Sequence, residues 1–196
     1  MLKNLKNINS SLKSSLDKER YLHTVSVSYT AMCLAMRYEV DLHKAEIAGL
    51  LHDCAKCISN EKKLKECQKH NIRISDAEQR KPDLLHAKLG AFIAMDEYEV
   101  DDKEIINAIL KHTTGAPNMT MLEKIIFVAD YIEPRREKAE NLPFLRKLAF
   151  EDIDACVYFI LEDTLSYLKK KQCVIDTMTD KAYEFYKTLY EEQHMH

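Results

Sequence analysis

The sequence predicts an all-α fold in a single domain, and three observations carry that prediction. Glycine and proline are scarce, three and four in 196 residues, where a turn-rich all-β chain needs many more. Apolar residues recur at helical rather than alternating spacing along most of the chain. Helix-start residues stand between the periodic runs at regular intervals. No stretch reads as a convincing strand, and no repeat or low-complexity tract interrupts the pattern.

The elements follow in order. Residues 1–17, rich in Lys, Asn and Ser, form a short helical extension with a loose end. From Asp17 or Lys18 to about Tyr38, Leu22, Val25, Tyr29, Met32, Cys33 and Met36 make a helical stripe with His23 beside it. Asp41 can cap a helix over roughly 42–57, and Asn60 a charged one to about His70. Residues 71–84 read as a loop with at most one turn of helix, broken near Pro82. A helix resumes over 85–97 with His86 in its first turn. Another runs from Asp101 to about His112 and is ended by Thr113-Thr114-Gly115-Ala116-Pro117. Thr120 and Glu123 make a capping box that opens a helix to Ile132, closed by Glu133-Pro134-Arg135-Arg136. After a polar connection at 137–142 comes one long helix over about 144–171, with Ile153, Val157, Ile160, Leu161, Leu165 and Leu168 on one face. An amphipathic helix over 177–192, through Tyr183, Tyr186 and Leu189, ends the chain.

Composition narrows the function. Net charge is −3, from 29 basic and 32 acidic side chains, so no basic field recommends nucleic acid or a membrane surface as partner. No apolar run approaches the ~20 residues of a membrane span. The N-terminal Met1-Leu2-Lys3-Asn4-Leu5 leads into polar sequence without signal-peptide character. The six cysteines, at 33, 54, 57, 67, 156 and 173, are therefore expected to be reduced thiols of a cytoplasmic protein.

The chemistry concentrates in 47–58, Ile-Ala-Gly-Leu-Leu-His-Asp-Cys-Ala-Lys-Cys-Ile. His52 and Asp53 follow Ile47, Ala48, Leu50 and Leu51, and both are costly in such surroundings unless partnered. On a helix, Lys56 lies four residues from His52 and three from Asp53, on their face. A nitrogen, an oxygen and a cation then point at one spot, which suits a metal holding a phosphate. Asp130, in Ile-Ile-Phe-Val-Ala-Asp-Tyr-Ile, is a second carboxylate in an apolar helix. Taken singly, His23, His52, Asp53, His86, His112 and Asp130 each read first as hydrogen-bonded core residues. Two stranded carboxylates with a histidine in each of four helices point instead to one metal centre. Nitrogen and oxygen donors without thiolate suit Mn, Fe, Co or Zn in an open, water-bearing site rather than a closed structural zinc.

Other features read as structural. Cys54-x-x-Cys57 is a single pair, expected to be ordinary buried or edge cysteine. His43, His70, His194 and His196 sit in polar surroundings and read as surface groups. The apolar and tyrosine stripe of 153–190 reads as core or as a homodimer contact.

The order H…HD…H…H…D resembles the HD-domain metal-dependent phosphohydrolases. HDCAK at 52–56, KHTTG at 111–115 and ADYIEPRR at 129–136 more closely resemble the bacterial YqeK-type symmetrical diadenosine tetraphosphate hydrolases, over roughly residues 18–190. The resemblance implies an HD helical domain over 18–192. It implies a first metal held by His23, His52, Asp53 and Asp130, and a second site completed by His86 and His112 with Asp53 bridging. The resemblance further implies a divalent transition metal, iron first and Mn, Co or Zn as alternatives, in one or two copies. A metal of this kind makes hydroxide available near neutral pH. Attack on a dinucleoside tetraphosphate would then give two nucleoside diphosphates. Asp53 and Lys56 would act in catalysis, and Lys56, Thr113, Thr114, the Gly115 backbone and Arg135 or Arg136 would hold phosphate. The alternatives are another HD nucleotidase or triphosphohydrolase, or a non-catalytic nucleotide-binding HD module. The complete ligand set with Lys56 argues against the last.

Overall fold

The structure is a computed structural model describing residues 5–139 and 141–194, the His194 side chain excepted. Residues 1–4 of the expected extension, and His196, lie outside the described residues. Eleven α-helices and one 3-10 turn are found among the described residues, with no strand. They are α1 (Leu5–Ser15), α2 (Lys18–Arg37), α3 (Leu42–Leu51), α4 (Asn60–Lys69), α5 (Asp76–Arg80), the 3-10 turn Pro82–Leu85, α6 (His86–Asp96), α7 (Lys103–Lys111), α8 (Met121–Ile132), α9 (Leu142–Glu151), α10 (Ile153–Lys170) and α11 (Thr177–His194).

Local signals explain most of the boundaries. Asp17 and Asp41 accept from the backbone N–H three residues on, at Arg20 and Lys44, so α2 and α3 begin where a carboxylate can satisfy an orphan donor. Ser75 with Glu78 and Thr120 with Glu123 form full capping boxes at α5 and α8. Two caps fall one residue from the expected ones: Ser59 rather than Asn60 opens α4, and Asp102 rather than Asp101 opens α7.

Two helices are shorter than their periodicity predicts. The expected 42–57 helix stops at Leu51, and residues beyond it run in tight turns, with Cys54 N–H to Leu51 O and Lys56 N–H to Asp53 O. The cause is His52, whose Nδ1 takes the Gly49 carbonyl at 2.7 Å and so competes with the backbone for the end of the helix. The expected 144–171 helix is two, broken at Asp152. That residue is extended (φ −145°, ψ 100°) and its side chain caps α10 at Ala155 N–H. The apolar pattern runs through the break because both pieces face the same core.

The central layer is α2, α3, α7 and α8, with α3 and α8 packed against each other and against both α2 and α7; α10 packs on α8, and α11 on α10. Val27, Ala31, Leu34, Ile47, Leu51, Ile109, Ile125 and Val128 are among its fully buried side chains, and Val157 and Leu161 of α10 pack into the same core. Ile8 and Leu12 of α1 are buried in the same core. A smaller apolar cluster, Ala55, Cys67, Leu85 and Leu89, lies under α4 and the 3-10 turn. Much of the 153–190 stripe is core, with Ile153, Ile160, Leu161, Leu165 and Tyr186 buried, while Leu168, Tyr183, Leu189 and Tyr190 are half-buried.

Gly49 permits a close approach of α2 and α3 in the central layer. A Cβ there would lie 2.7 Å from Ser28 Cα, a backbone atom of α2 that cannot step aside. Glycine therefore lets α2, carrying His23, lie against the end of α3, carrying His52. Gly49→Ala is expected to destabilise the protein by about 1–3 kcal/mol through this overpacking, read as a lower midpoint in urea unfolding at unchanged slope.

Candidate functional site

Five elements deliver one polar cluster into the core. His23 comes from the middle of α2, His52 and Asp53 from the end of α3, His86 from the start of α6, His112 from the end of α7 and Asp130 from the last turn of α8. Asp53 is at the centre. Its Oδ2 lies 3.5 Å from His52 Nε2 and 3.8 Å from His23 Nε2. Its Oδ1 lies 3.2 Å from His86 Nε2 and 3.6 Å from His112 Nε2. Asp130 Oδ1 closes the first side, 3.1 Å from His23 Nε2 and 4.0 Å from His52 Nε2. All six residues that sequence reasoning singled out as ligands thus meet around one carboxylate.

The histidines are oriented from behind. His52, His86 and His112 each donate Nδ1–H to the carbonyl three residues back, at Gly49 (2.7 Å), Asp83 (2.5 Å) and Ile109 (2.7 Å). A carbonyl only accepts, so each ring carries its proton on Nδ1 and turns a bare Nε2 lone pair inward. All three sit in the cap position ending a helix or 3-10 turn, where backbone carbonyls lack partners. His23 differs: its Nδ1 is 3.1 Å from Glu133 Oε1, a buried carboxylate that also accepts from Arg135 N–H. Such outer partners fix ring orientation and raise ligand basicity.

The cluster fits a metal by a test internal to the structure. His23 Nε2, His52 Nε2 and Asp53 Oδ1 are buried and make no hydrogen bond. Two triads, His23/His52/Asp130 and His52/Asp53/His112, have ligand atoms all within 4.8 Å of one another. Donors about 2.0–2.2 Å from a common ion sit at comparable mutual separations. His86 Nε2 adds a donor 3.2 Å from His112 Nε2.

Electrostatics agree with this reading. Burial opposes ionisation of Asp53, yet His52, then His112 and His86, hold its carboxyl well below the usual carboxylate range. Burial likewise opposes charge on Asp130, but His23 and His52 keep it lower than ordinary. Burial, helped by His112 and Lys56, pushes His86 down to about 3 against the pull of Asp53. Burial works against protonation of His23, and the Asp130 and Glu133 carboxylates outweigh it.

The remaining expected residues lie around the cluster. Lys56 is not on a helix; its Nζ binds Asp83 Oδ2 at 3.0 Å and lies 3.5 Å from the outer nitrogen of His86. Thr113 Oγ1 lies between His86 Nε2 (3.1 Å) and His112 Nε2 (3.0 Å). Thr114 donates to the Gly115 carbonyl at 2.9 Å, and Gly115 holds a left-handed φ of +65°. Arg136 donates to the Asp130 carbonyl at 2.9 Å and approaches Asp130 Oδ1 at 3.3 Å, while Arg135 pairs with Glu19 at 3.0 Å. Cys54 and Cys57 turn to different partners, Gly90 O and Asp17 Oδ2, consistent with ordinary thiols. His43 is exposed, whereas His70 is partly covered by Phe92, 4.2 Å between ring centroids.

Sequence reasoning missed Arg20, whose Nη1 donates to Asp53 Oδ2 at 2.7 Å, and Glu133 as the partner of His23. Arg20 stands one turn before His23 on α2, so the i−3 spacing was the available signal.

Two clefts border the cluster, one through Thr113, which contacts His86 and His112, and one through His23 itself. One, of about 720 Å³, is lined by Ile74, Lys88, Lys111, Thr113, Gly115 and Asp176 among others. The second, of about 560 Å³, meets the cluster at His23 and is lined by Arg20, Arg135, Arg136 and Lys138 with Asp17 and Glu19. Each has the size of a small-molecule site.

Comparison with known proteins places this geometry. The HD domain family model matches residues 20–135. The chain is 41% identical over 162 residues to a protein of Bacillus subtilis strain 168 named "Bis(5'-nucleosyl)-tetraphosphatase, symmetrical", covering 82% of this chain and 85% of that one. A Staphylococcus aureus protein of the same name is 34% identical over 176 residues, 89% of this chain and 90% of that one. A crystal structure from Clostridium acetobutylicum, described as a predicted HD superfamily hydrolase involved in NAD metabolism, superposes with a TM-score of 0.93 at 36% identity. That likeness covers 96% of this chain and all of the other.

Two outcomes follow. Asp53→Ala removes the carboxylate shared by both donor sets, so elemental analysis should find metal content reduced at least tenfold while the helical circular dichroism is retained. The second concerns acid. An unfolded histidine titrates near 6.5, and His86 in the fold near 3. Between those values the unfolded chain binds the extra proton, so stability of the metal-free protein rises with pH and is lost on acidification below about 6.5. His23 acts in the opposite sense, so the readout is the difference between wild type and His86→Gln. The melting temperature of wild type should fall more steeply from pH 7 to pH 4.

Proposed function

The chain belongs to the HD domain family, and from that membership and its site geometry we propose that it is a hydrolase cleaving dinucleoside tetraphosphates symmetrically into two nucleoside diphosphates. The observation that carries the reading is the Asp53 carboxylate dividing two donor sets, with a nucleotide-sized cleft meeting the cluster at Thr113 and another at His23. A substrate with a nucleoside at each end of a four-phosphate chain would place its middle over the cluster. The two clefts, one at Thr113 and one at His23, offer room for the two nucleoside ends of a molecule that is the same read from both ends.

The residues present suit a divalent transition metal with N/O ligands, iron first, with manganese, cobalt or zinc as alternatives. His23, His52, Asp53 and Asp130 would hold one ion, and His86 and His112 with Asp53 a second. A metal held there supplies an acidified water and polarises a phosphoryl oxygen. The rest of the work is the protein's. The Nδ1–H bonds keep each Nε2 aimed inward, so the ligands need no reorganisation. Lys56 Nζ and the Thr113 hydroxyl stand on the His86 side and would take the oxygens of the attacked phosphate. Arg135, 44% exposed at its side chain, is placed to reach charge on the departing half, while Arg136 holds Asp130. Water adds to a phosphorus beside the central bridging oxygen, that P–O bond breaks, and the bridging oxygen leaves on the second nucleoside diphosphate. Cytoplasmic residence is supported by six free cysteines and by the absence of any helix among the described residues long and apolar enough to cross a membrane.

Incubating the metal-loaded protein with diadenosine tetraphosphate should yield only ADP, two per substrate, by anion-exchange chromatography. In heavy-oxygen water, a single labelled oxygen should enter one ADP of each pair. ATP with AMP in equal amounts would refute the symmetrical assignment, and turnover of other nucleotides alone would favour a nucleotidase. Lys56→Ala should lower turnover about ten- to a hundredfold with metal retained, the range for losing one charge-assisted contact of about 1.5–3 kcal/mol.

A further inference from the structure

Lys63 is a buried ammonium with no part in the cluster, and its partners show what it holds. Its side chain is 2% exposed. Its Nζ lies 3.3 Å from the Lys56 carbonyl, 3.5 Å from Asn60 Oδ1 and 3.3 Å from Asp83 Oδ1. An ammonium is rarely buried so completely unless paired. The partner charge is Asp83, and Asp83 is shared: its other oxygen binds Lys56 Nζ at 3.0 Å, while its backbone carbonyl accepts from His86 Nδ1 at 2.5 Å. One aspartate on the 3-10 turn therefore touches a lysine at the rim of the cluster, a lysine beneath it and a histidine of the cluster itself. Lys63 ties that aspartate to the turn 52–57, which carries His52, Asp53 and Lys56.

We propose that Asp83 and Lys63 are positioning residues for phosphate binding, Asp83 fixing the ammonium of Lys56 beside His86 and Lys63 fixing Asp83. The physical reason is entropic and electrostatic together. Lys56 lies in a turn, not on a helix, and a lysine on a free four-carbon stem loses rotamer freedom when ordered. A carboxylate that orders it beforehand removes that cost from the binding step. A lone carboxylate would also cancel its charge. Two lysines sharing one aspartate leave a net positive charge facing the site, and the second is buried where it cannot itself reach a ligand. Polar pairs with Asp83 therefore orient Lys56 without neutralising the local field.

The inference rests on the phosphate role proposed for Lys56, and the test separates the two. The manganese-loaded protein would be titrated with inorganic pyrophosphate by calorimetry, in a double-mutant cycle. Lys56→Ala should weaken affinity about tenfold. Asp83→Ala and Lys63→Met should each weaken it about three- to tenfold with Lys56 present, and by less than about twofold on the Lys56→Ala background. Asp83→Asn, which keeps an acceptor for Lys56, should restore most of the affinity. An unchanged or higher affinity in Asp83→Ala, or the same loss on both backgrounds, overturns the proposal, as does a wild type indifferent to pyrophosphate. Should Asp83→Ala fail to melt cooperatively, the cycle of Lys63→Met with Lys56→Ala decides by the same criterion. If wild type leaves diadenosine tetraphosphate intact while the pyrophosphate cycle shows coupling, the substrate assignment falls and the positioning role stands.

Discussion

The structure depends on one buried carboxylate. Asp53 is 2% exposed, lies inside a helical core and is faced by four imidazoles and one guanidinium. An ionised carboxylate in such a place is tolerated only if its surroundings replace water. Here the replacements come from α2, the end of α3, α6 and α7, far apart in the chain, so the need to satisfy Asp53 constrains how those four helices meet. Gly49 serves the same constraint, since the absent Cβ lets α2 bring His23 and Arg20 against the end of α3.

The histidines show how a helical fold builds a donor set without giving up helix stability. A helix end leaves carbonyls without partners. Placing a histidine at that end satisfies a carbonyl with Nδ1–H and leaves Nε2 for the site, so one side chain answers a backbone need and a chemical one. His52, His86 and His112 repeat the device on three separate elements. His23 sits mid-helix, where no carbonyl is free, and uses the Glu133 carboxylate instead. The first donor set therefore has a more basic histidine support than the second, a difference built into the backbone rather than into the ligand types.

The segment between α3 and α6, with α4, α5 and the 3-10 turn, looks peripheral and yet forms the rim of the site. The second apolar cluster, under α4 and the 3-10 turn, fixes the ground on which Lys63, Asp83 and Lys56 stand. Because that cluster is separate from the main core, the rim has its own packing, and the cleft at Thr113 is walled partly by Ile74, Leu84 and Ala87.

Much of this was legible in the sequence. The all-helical class, the capping boxes at Thr120 and the start of α2 at Asp17 followed from local chemistry, because propensity, capping and apolar period are written residue by residue. The six clustered residues were also visible, as polar groups stranded in apolar helices, and the three quoted segments pointed to the family. What apolar period could not reach was where a side chain competes with the backbone for a helix end, or takes a partner far along the chain. His52 ended α3 six residues early by taking the Gly49 carbonyl, and Asp152 split one expected helix by capping a new one. The same holds for Arg20 on Asp53, Glu133 on His23 and the shared Asp83: each is an ordinary surface-type residue in sequence. The reason is physical. A carboxylate or guanidinium declares its need for a partner in one dimension, but which partner satisfies it is settled only by the distances that packing creates.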